Sequence, residues 1–150
     1  MVIVGDSIIR GIEAQVCSRE RERERESCMV CCLPGAQVGD LSGRVDRLWA
    51  RAGVDPVVIV HVGTDDMHKG SLSVLQTKFK ELGAMLRSRT DEVVFSEVLP
   101  VPHANPGKIE EIKKLNAWLK SWCRVEGYRF MGHWDSFWNR WDLFEEKYKV

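Results

Sequence analysis

The sequence predicts a doubly wound α/β domain, in which five parallel strands form one sheet between two helical layers. Five short runs of apolar, largely β-branched residues alternate with amphipathic helical patterns along the 150 residues. The runs are almost continuously hydrophobic, as expected of strands covered on both faces. Repeated β-α alternation favours right-handed crossovers and a three-layer α/β/α sandwich. A chain of this length fits a single domain over residues 1–150.

The elements follow one another regularly as far as the fifth strand. Apolar runs predict strands over 1–5, 28–33, 56–62, 92–98 and 127–131. Between them, apolar residues recur at i, i+3, i+4 and i+7, the spacing of one helix face. That spacing predicts helices over 8–15, 38–52, 71–88 and 107–126.

The segment after the fifth strand departs from this pattern. Trp134, Trp138 and Trp141 recur at i, i+4 and i+7, but no long helical pattern follows them before Val150. A helix after the fifth strand normally covers one face of such a sheet, so we expect this final helix to be missing. The three tryptophans are then expected to form an exposed apolar patch that supports homo-oligomerisation.

Composition argues against several classes of protein. The 22 basic and 22 acidic residues cancel, so no net charge attracts nucleic acid or an anionic membrane, and no direct nucleic-acid site is evident. The alternating-charge run at 19–26 is expected to be a solvated loop or helix extension. No apolar stretch could span a bilayer, and the N-terminus lacks a signal peptide's basic region. We therefore expect an intracellular, cytoplasmic protein without a transmembrane segment.

The five cysteines favour reduced thiols, because their number is odd and no secretory signal accompanies them. Cys28 and Cys31 have a spacing seen in zinc sites. In a strand, however, they would point to opposite faces and could not share an ion. No metal is expected.

Unusual residues follow the first three strands. In the flavodoxin-like order 2-1-3-4-5, those strands lie side by side, and their carboxyl ends form the crevice where such folds bind ligands. Ser7 follows the first strand, Gly35 the second and Asp65 the third. Ser7 fits either a helix N-cap or a nucleophile, since backbone N–H groups converge there. Gly35 and Asp65 would flank it as oxyanion-binding positions.

At this point the chain resembles a family. Gly5-Asp6-Ser7, Gly35 and Gly63-Thr64-Asp65-Asp66 are similar to the first three blocks of the SGNH (GDSL-type) hydrolases. Further segments extend the likeness to the esterase-like domain in the first open reading frame of certain LINE retrotransposons: Cys32-Leu33-Pro34-Gly35-Ala36, His61-Val62-Gly63-Thr64, Val98-Leu99-Pro100-Val101 and Asn116-Ala117-Trp118-Leu119. The resemblance implies the SGNH hydrolase fold and a serine ester hydrolase acting on acyl or acetyl esters without a cofactor. Ser7 would be the nucleophile. The backbone N–H groups of Ser7 and Gly35, with the side chain at position 65, would form the oxyanion hole.

Two departures from the family pattern bear on activity. The family's Asp-x-x-His block supplies the general base, and it would begin near Val150, so the chain is expected to be truncated before it. His133 with Asp135 is the substitute base pair that the sequence offers. Asp65 stands where the family has Asn, and an ionised carboxylate cannot donate a hydrogen bond to an oxyanion.

These features lead to alternative hypotheses. One is a degenerate, retrotransposon-derived esterase with weak or no activity. The second is a working esterase whose base is His133 or comes from outside this sequence. The third is a non-catalytic interaction module that self-associates through Trp134, Trp138 and Trp141.

Overall fold

A computed structural model of the chain describes residues 1–10, 12, 28–50, 56–68 and 71–144. Several sequence-based predictions lie outside the described residues. They concern the later part of the predicted helix 8–15, Cys17, the charge run 19–26, the end of the predicted helix 38–52 and the end of the chain at Val150.

The described strands form one parallel sheet, and its order is β2-β1-β3-β4-β5, as predicted. Each strand is shorter than its apolar run. The strands are β1 (Val2–Gly5), β2 (Met29–Cys32), β3 (Val58–His61), β4 (Val93–Ser96) and β5 (Arg129–Met131). The α/β class and the strand order are therefore confirmed.

The described α-helices fall mainly in the predicted segments. They are α1 (Val38–Ser42), α2 (Val45–Trp49), α3 (Leu72–Arg87), α4 (Pro106–Glu126) and α5 (Trp134–Phe137). Helix α3 begins at Ser71, whose hydroxyl accepts a hydrogen bond from Val74 N. Helix α4 begins at Asn105, followed by Pro106 in the first turn, and ends at Gly127 in the left-handed conformation. These are the capping residues that favour such ends.

Two predicted helices differ from the structure. The predicted helix 38–52 is two short helices, with Gly43 and Arg44 between them. Glycine costs about 1 kcal/mol relative to alanine inside a helix, which favours a break there. The predicted helix 8–15 begins instead as a 3₁₀ turn over Ser7–Ile9, and Arg10 already has extended backbone.

The hydrophobic core lies on one face of the sheet. Alternate residues of three strands, Val2 and Val4 in β1, Val58 and Val60 in β3, and Val93 and Phe95 in β4, join one buried cluster with helical side chains that include Leu41, Leu48, Leu82, Leu115 and Leu119. Period-two alternation sends the intervening residues to the other face. His61 and Ser96 lie on that second face.

The segment after β5 holds two short helical turns. They are α5 and a 3₁₀ turn over Trp141–Leu143, so no long helix follows β5 before Phe144, where the described part ends. The tryptophans pack on one another. The rings of Trp134 and Trp138 stack at 5.6 Å, and those of Trp138 and Trp141 meet edge to face at 5.4 Å. All three tryptophans are half-buried rather than exposed.

The cysteines differ from the sequence-based expectation at one position. Cys28 takes part in a disulfide bond, whereas Cys31, Cys32 and Cys123 do not. The expectation of reduced thiols is therefore wrong for Cys28. No group of three or more metal-ligating side chains lies together among the residues described. None of the described helices is both long and apolar enough to cross a bilayer.

Candidate active site

A cavity at the carboxyl ends of the strands brings together most of the predicted site. Ser7 after β1, Asp65 after β3 and His133 after β5 all line it, together with Asp6 and His61. Parallel strands end at the same edge of a sheet, which is why residues far apart in sequence meet there. The cavity has a volume of about 540 Å³. Sites for small molecules typically measure roughly 300–1,000 Å³.

Ser7 is held at this edge by hydrogen bonds around Asp6. The Asp6 carboxylate caps the 3₁₀ turn, with Oδ1 accepting from Ile8 N at 3.0 Å. The backbone N–H of Asp6 donates to the carbonyl of His61 at 3.2 Å. The N-cap role that the sequence also allowed for Ser7 thus belongs to Asp6. Ser7 is the first residue of the turn and is half-buried.

Gly5 is required by the close approach of β1 to β3. A Cβ atom on Gly5 would lie 2.2 Å from the backbone oxygen of His61, a separation that no real Cβ tolerates. Gly5 pairs with His61 at the end of the β1–β3 ladder, and Asp6 and Ser7 follow directly in the chain. In the next loop, Gly63 has a φ of 130°, which side chains rarely adopt. Glycine at positions 5 and 63 therefore allows the backbone conformations of the two segments that lead into the cavity.

Gly35 lies in a tight turn after β2. Ala36 N donates to the carbonyl of Leu33 at 3.0 Å, and Gly35 has a φ of 71°. Pro at the second position and Gly at the third are typical of a type II turn. Gly35 is exposed and is not one of the residues that line the cavity. The structure therefore brings Asp65, but not Gly35, into the same cavity as Ser7.

Asp66 connects the loop after β3 to the segment that contains Gly35. Its Oδ2 accepts from Val38 N at 3.0 Å, at the beginning of α1. Burial raises the pKa of this carboxyl, and the hydrogen bond from Val38 opposes that shift. Asp66 thus fixes the two loops relative to each other.

The Asp6 carboxyl is an unusual group for this position. It is 1% exposed, and its Oδ2 is buried and has no hydrogen-bond partner among the described residues. Burial raises its pKa from 3.8 to about 6, opposed by the bond from Ile8 and reinforced by the nearby charges of Asp65 and Asp66. A carboxyl of this kind titrates close to neutral pH, as groups at functional sites often do.

His133 is oriented by Glu97, which follows β4. The ring Nε2 lies 2.7 Å from the Glu97 backbone oxygen, so Nε2 carries the proton and donates it. The Nδ1 atom of the neutral ring is then a proton acceptor. The Glu97 carboxylate accepts from the backbone N–H groups of His133 and Trp134, both at 2.7 Å. These bonds fix both the ring and the beginning of α5.

Asp135 does not orient His133 in the structure. It is exposed and lines a separate depression on the far side of His133, outside the Ser7 cavity. The Nε2 atom of His133 donates to the Glu97 carbonyl, and among the described residues no hydrogen bond joins His133 to Asp135.

His61 is a member of the site that the sequence did not indicate. Sequence reasoning suggests a packed residue of the third strand, and the structure places it in the cavity lining, 5% exposed. Its Nδ1 lies 2.9 Å from Ser96 Oγ, and its ring centre lies 5.9 Å from that of His133. Burial, and secondarily the charge of His133, lowers the pKa of His61 to about 4. The sequence feature that could have indicated this role is a polar residue at the end of an otherwise apolar strand.

Comparison with known proteins finds similar solved structures. No protein-family model matches the chain, and no curated protein matches it. A lipolytic protein of the G-D-S-L family from Veillonella parvula is similar with a TM-score of 0.73 at 14% identity, over 96% of this chain and 82% of that one. TesA gives a TM-score of 0.75 at 16% identity, over 98% and 86%.

A further solved structure is the esterase domain of the ZfL2-1 ORF1 protein from a zebrafish retrotransposon. It is 27% identical over 98% of this chain and 85% of that chain, with a TM-score of 0.48. The neighbours with higher TM-scores share the fold of the GDSL lipolytic proteins. The resemblance to the SGNH hydrolases is thus confirmed at the level of the fold.

Proposed function

We propose that this chain is an SGNH-type serine ester hydrolase with slow turnover. One observation carries the proposal: Ser7 and His133 line the same cavity at the carboxyl end of a sheet with the fold of the GDSL lipolytic proteins. Acyl transfer requires a serine and a proton acceptor at one site, and Ser7 and His133 both line this cavity. The substrate is an acyl ester, and the reaction needs no cofactor.

The proposed reaction proceeds in two steps. Ser7 Oγ attacks the ester carbonyl and passes its proton to His133 Nδ1, and the alcohol leaves with that proton. Water then attacks the acyl group on Ser7, which releases the acid and restores the serine. The Ser7 backbone N–H stabilises the oxyanion in both steps. The Gly35 N–H, which the family resemblance gives as a second donor, lies outside the cavity in this structure.

Two features of the site support slow turnover. Asp65 lines the cavity where a donor is needed, and its carboxylate offers acceptors only. The Nε2 atom of His133 is bonded to a neutral carbonyl rather than to a carboxylate, so this bond gives the imidazolium formed during attack no charged partner. The order along the chain of the family-like motifs described under the sequence analysis supports a separate point, descent from a retrotransposon ORF1 esterase-like domain.

Hydrolysis of p-nitrophenyl acetate tests these roles. We expect Ser7→Ala to abolish turnover above background. We expect His133→Gln, which keeps the donation to Glu97 but loses the base, to lower it at least tenfold, since general bases contribute roughly 10²–10⁴-fold. Ser73→Ala and His103→Gln are the matched controls, because both residues are exposed and outside the cavity. Equal rates for Ser7→Ala and the wild-type protein would refute the proposal.

The alternative function, a self-association module, is supported by one observation. Two apolar side chains, Met131 at the end of β5 and Leu143 after it, are exposed at 43% and 52%. Size-exclusion chromatography across a concentration series distinguishes the two functions. A shift to a dimer that Met131→Ser reverses supports self-association, and a monomer throughout excludes it.

A further inference from the structure

Two histidine rings lie near each other in the wall of the cavity that contains Ser7. His61, the last residue of β3, and His133, which directly precedes α5, both line this cavity. Their ring centres are 5.9 Å apart, and the planes of the rings are tilted by 39°. The proposed function uses His133 as the base and gives His61 no role. The pair is therefore a candidate for a second kind of binding in the same cavity.

The end of β4 holds each of these rings by one nitrogen. The Nδ1 atom of His61 lies 2.9 Å from Ser96 Oγ, and the Nε2 atom of His133 lies 2.7 Å from the Glu97 carbonyl oxygen. Among the described residues, no group forms a hydrogen bond with the other nitrogen of either ring. Histidines that bind metal ions share this arrangement, in which one nitrogen donates its proton to an oxygen and the other offers its lone pair to the ion.

The distance between the rings suits a zinc ion shared by both. Zinc binds imidazole nitrogen at about 2.0–2.1 Å, so each ring centre would lie about 3.2 Å from the ion. Two rings on one ion can then be at most about 6.4 Å apart, and a tetrahedral angle between them gives about 5.2 Å. The observed 5.9 Å lies between these two values. A small rotation of the half-buried His133 ring is enough to reach the tetrahedral spacing.

The charges around the histidine pair favour a cation. Two carboxyl groups, those of Asp6 and Asp65, line the cavity, and the guanidinium of Arg10 that also lines it belongs to an exposed residue. The described residues contain no set of three or more side chains placed to hold an ion together. The two imidazoles would therefore be the protein's ligands, and water would occupy the remaining positions on zinc.

We propose that Nε2 of His61 and Nδ1 of His133 bind one zinc ion in this cavity. The site follows from the two rings and their hydrogen-bond partners, and it does not depend on ester hydrolysis. Only its consequence rests on the proposed function. Nδ1 of His133 is the proposed base, and a nitrogen whose lone pair is bound to zinc cannot accept the proton of Ser7. Zinc is therefore expected to inhibit hydrolysis reversibly.

Calorimetric titration of the metal-free protein with Zn²⁺ tests the site. His61→Gln and His133→Gln each remove one ligand, and His103→Gln is the matched control, because His103 is exposed and lies outside the cavity. Loss of a second-shell partner lowers metal affinity by roughly 10–100-fold, so loss of a ligand should lower the affinity of this site at least tenfold. His103→Gln should leave the affinity unchanged. Wild-type protein that binds no zinc, or wild-type affinity in His133→Gln, overturns the proposal.

A second measurement needs no substitution and so does not depend on how well a variant folds. X-ray absorption at the zinc edge, on wild-type protein with one equivalent of Zn²⁺, counts the imidazoles bound to the ion. We expect two, and a spectrum with one or none overturns the proposal. Zinc bound by both histidines, in a protein without Ser7-dependent hydrolysis, overturns only the proposed function. Ser7-dependent hydrolysis in a protein that binds no zinc overturns only the zinc site.

Discussion

Replacing Asp65 by Asn is expected to raise kcat for p-nitrophenyl ester hydrolysis about 100-fold. The side chain at position 65 lines the cavity beside Ser7. As Asp it presents a negative charge to the oxyanion, whereas Asn would donate an N–H to it. One oxyanion-hole donor is worth on the order of 10²–10³ in kcat. Steady-state kinetics of the Asp65→Asn variant measure the gain.

The control for this prediction is Asp135→Asn. It removes a carboxylate from the same end of the sheet, but Asp135 is exposed and outside the cavity, so the rate should not change. The Asp65 charge also helps to raise the pKa of Asp6, so Asp65→Asn should lower that pKa. A rate that is unchanged or reduced in Asp65→Asn would show that position 65 does not face the oxyanion.

Asp6→Asn and His61→Gln are expected to give opposite dependences of the unfolding free energy on pH. The folded pKa of Asp6 is raised from 3.8 to about 6. Its contribution of about 3 kcal/mol is therefore present below pH 3.8 and lost as the pH rises through 6. The folded pKa of His61 is lowered from 6.5 to about 4. Its contribution, also about 3 kcal/mol, is present above pH 6.5 and lost as the pH falls through 4.

These two contributions nearly cancel between pH 4 and 6 in the wild-type protein. With Asp6→Asn, the Asp6 contribution no longer offsets that of His61, so the unfolding free energy should rise with pH by up to about 1.4 kcal/mol per pH unit. With His61→Gln, it should fall by a similar amount. Urea unfolding followed by tryptophan fluorescence at several pH values measures both slopes, and His103→Gln serves as the exposed-histidine control. Slopes of the same sign in both variants would contradict the assignment.

The features predictable from the sequence are those set by local pattern and chain order. The alternation of apolar runs and helical spacing identified β1 to β5 and their order, because parallel crossovers leave few topologies. The same order indicated that Ser7 and Asp65 would meet at one edge of the sheet. The local sequence could not predict that Gly35 lies outside the cavity, because its position depends on how the turn after β2 packs against the rest of the domain.

Features that depend on contacts across the sheet were not predictable. Nothing in the local sequence around Glu97 indicates that its carboxylate caps α5 or that its carbonyl orients His133, because the partners are 36 residues apart. His61 belongs to the site only because its strand ends beside Ser96. The disulfide at Cys28 was likewise not indicated by the local sequence.

The most direct measurement of the role of Ser7 is to trap its acyl adduct. The protein is mixed with excess p-nitrophenyl ester, quenched in acid within seconds, digested and mapped by mass spectrometry. We predict an acyl group on the peptide containing Ser7 that forms at least tenfold more slowly in the His133→Gln variant and is absent from Ser7→Ala. An adduct that forms equally in Ser7→Ala, or ester hydrolysis by the wild-type protein without any adduct on Ser7, would contradict the proposed nucleophile.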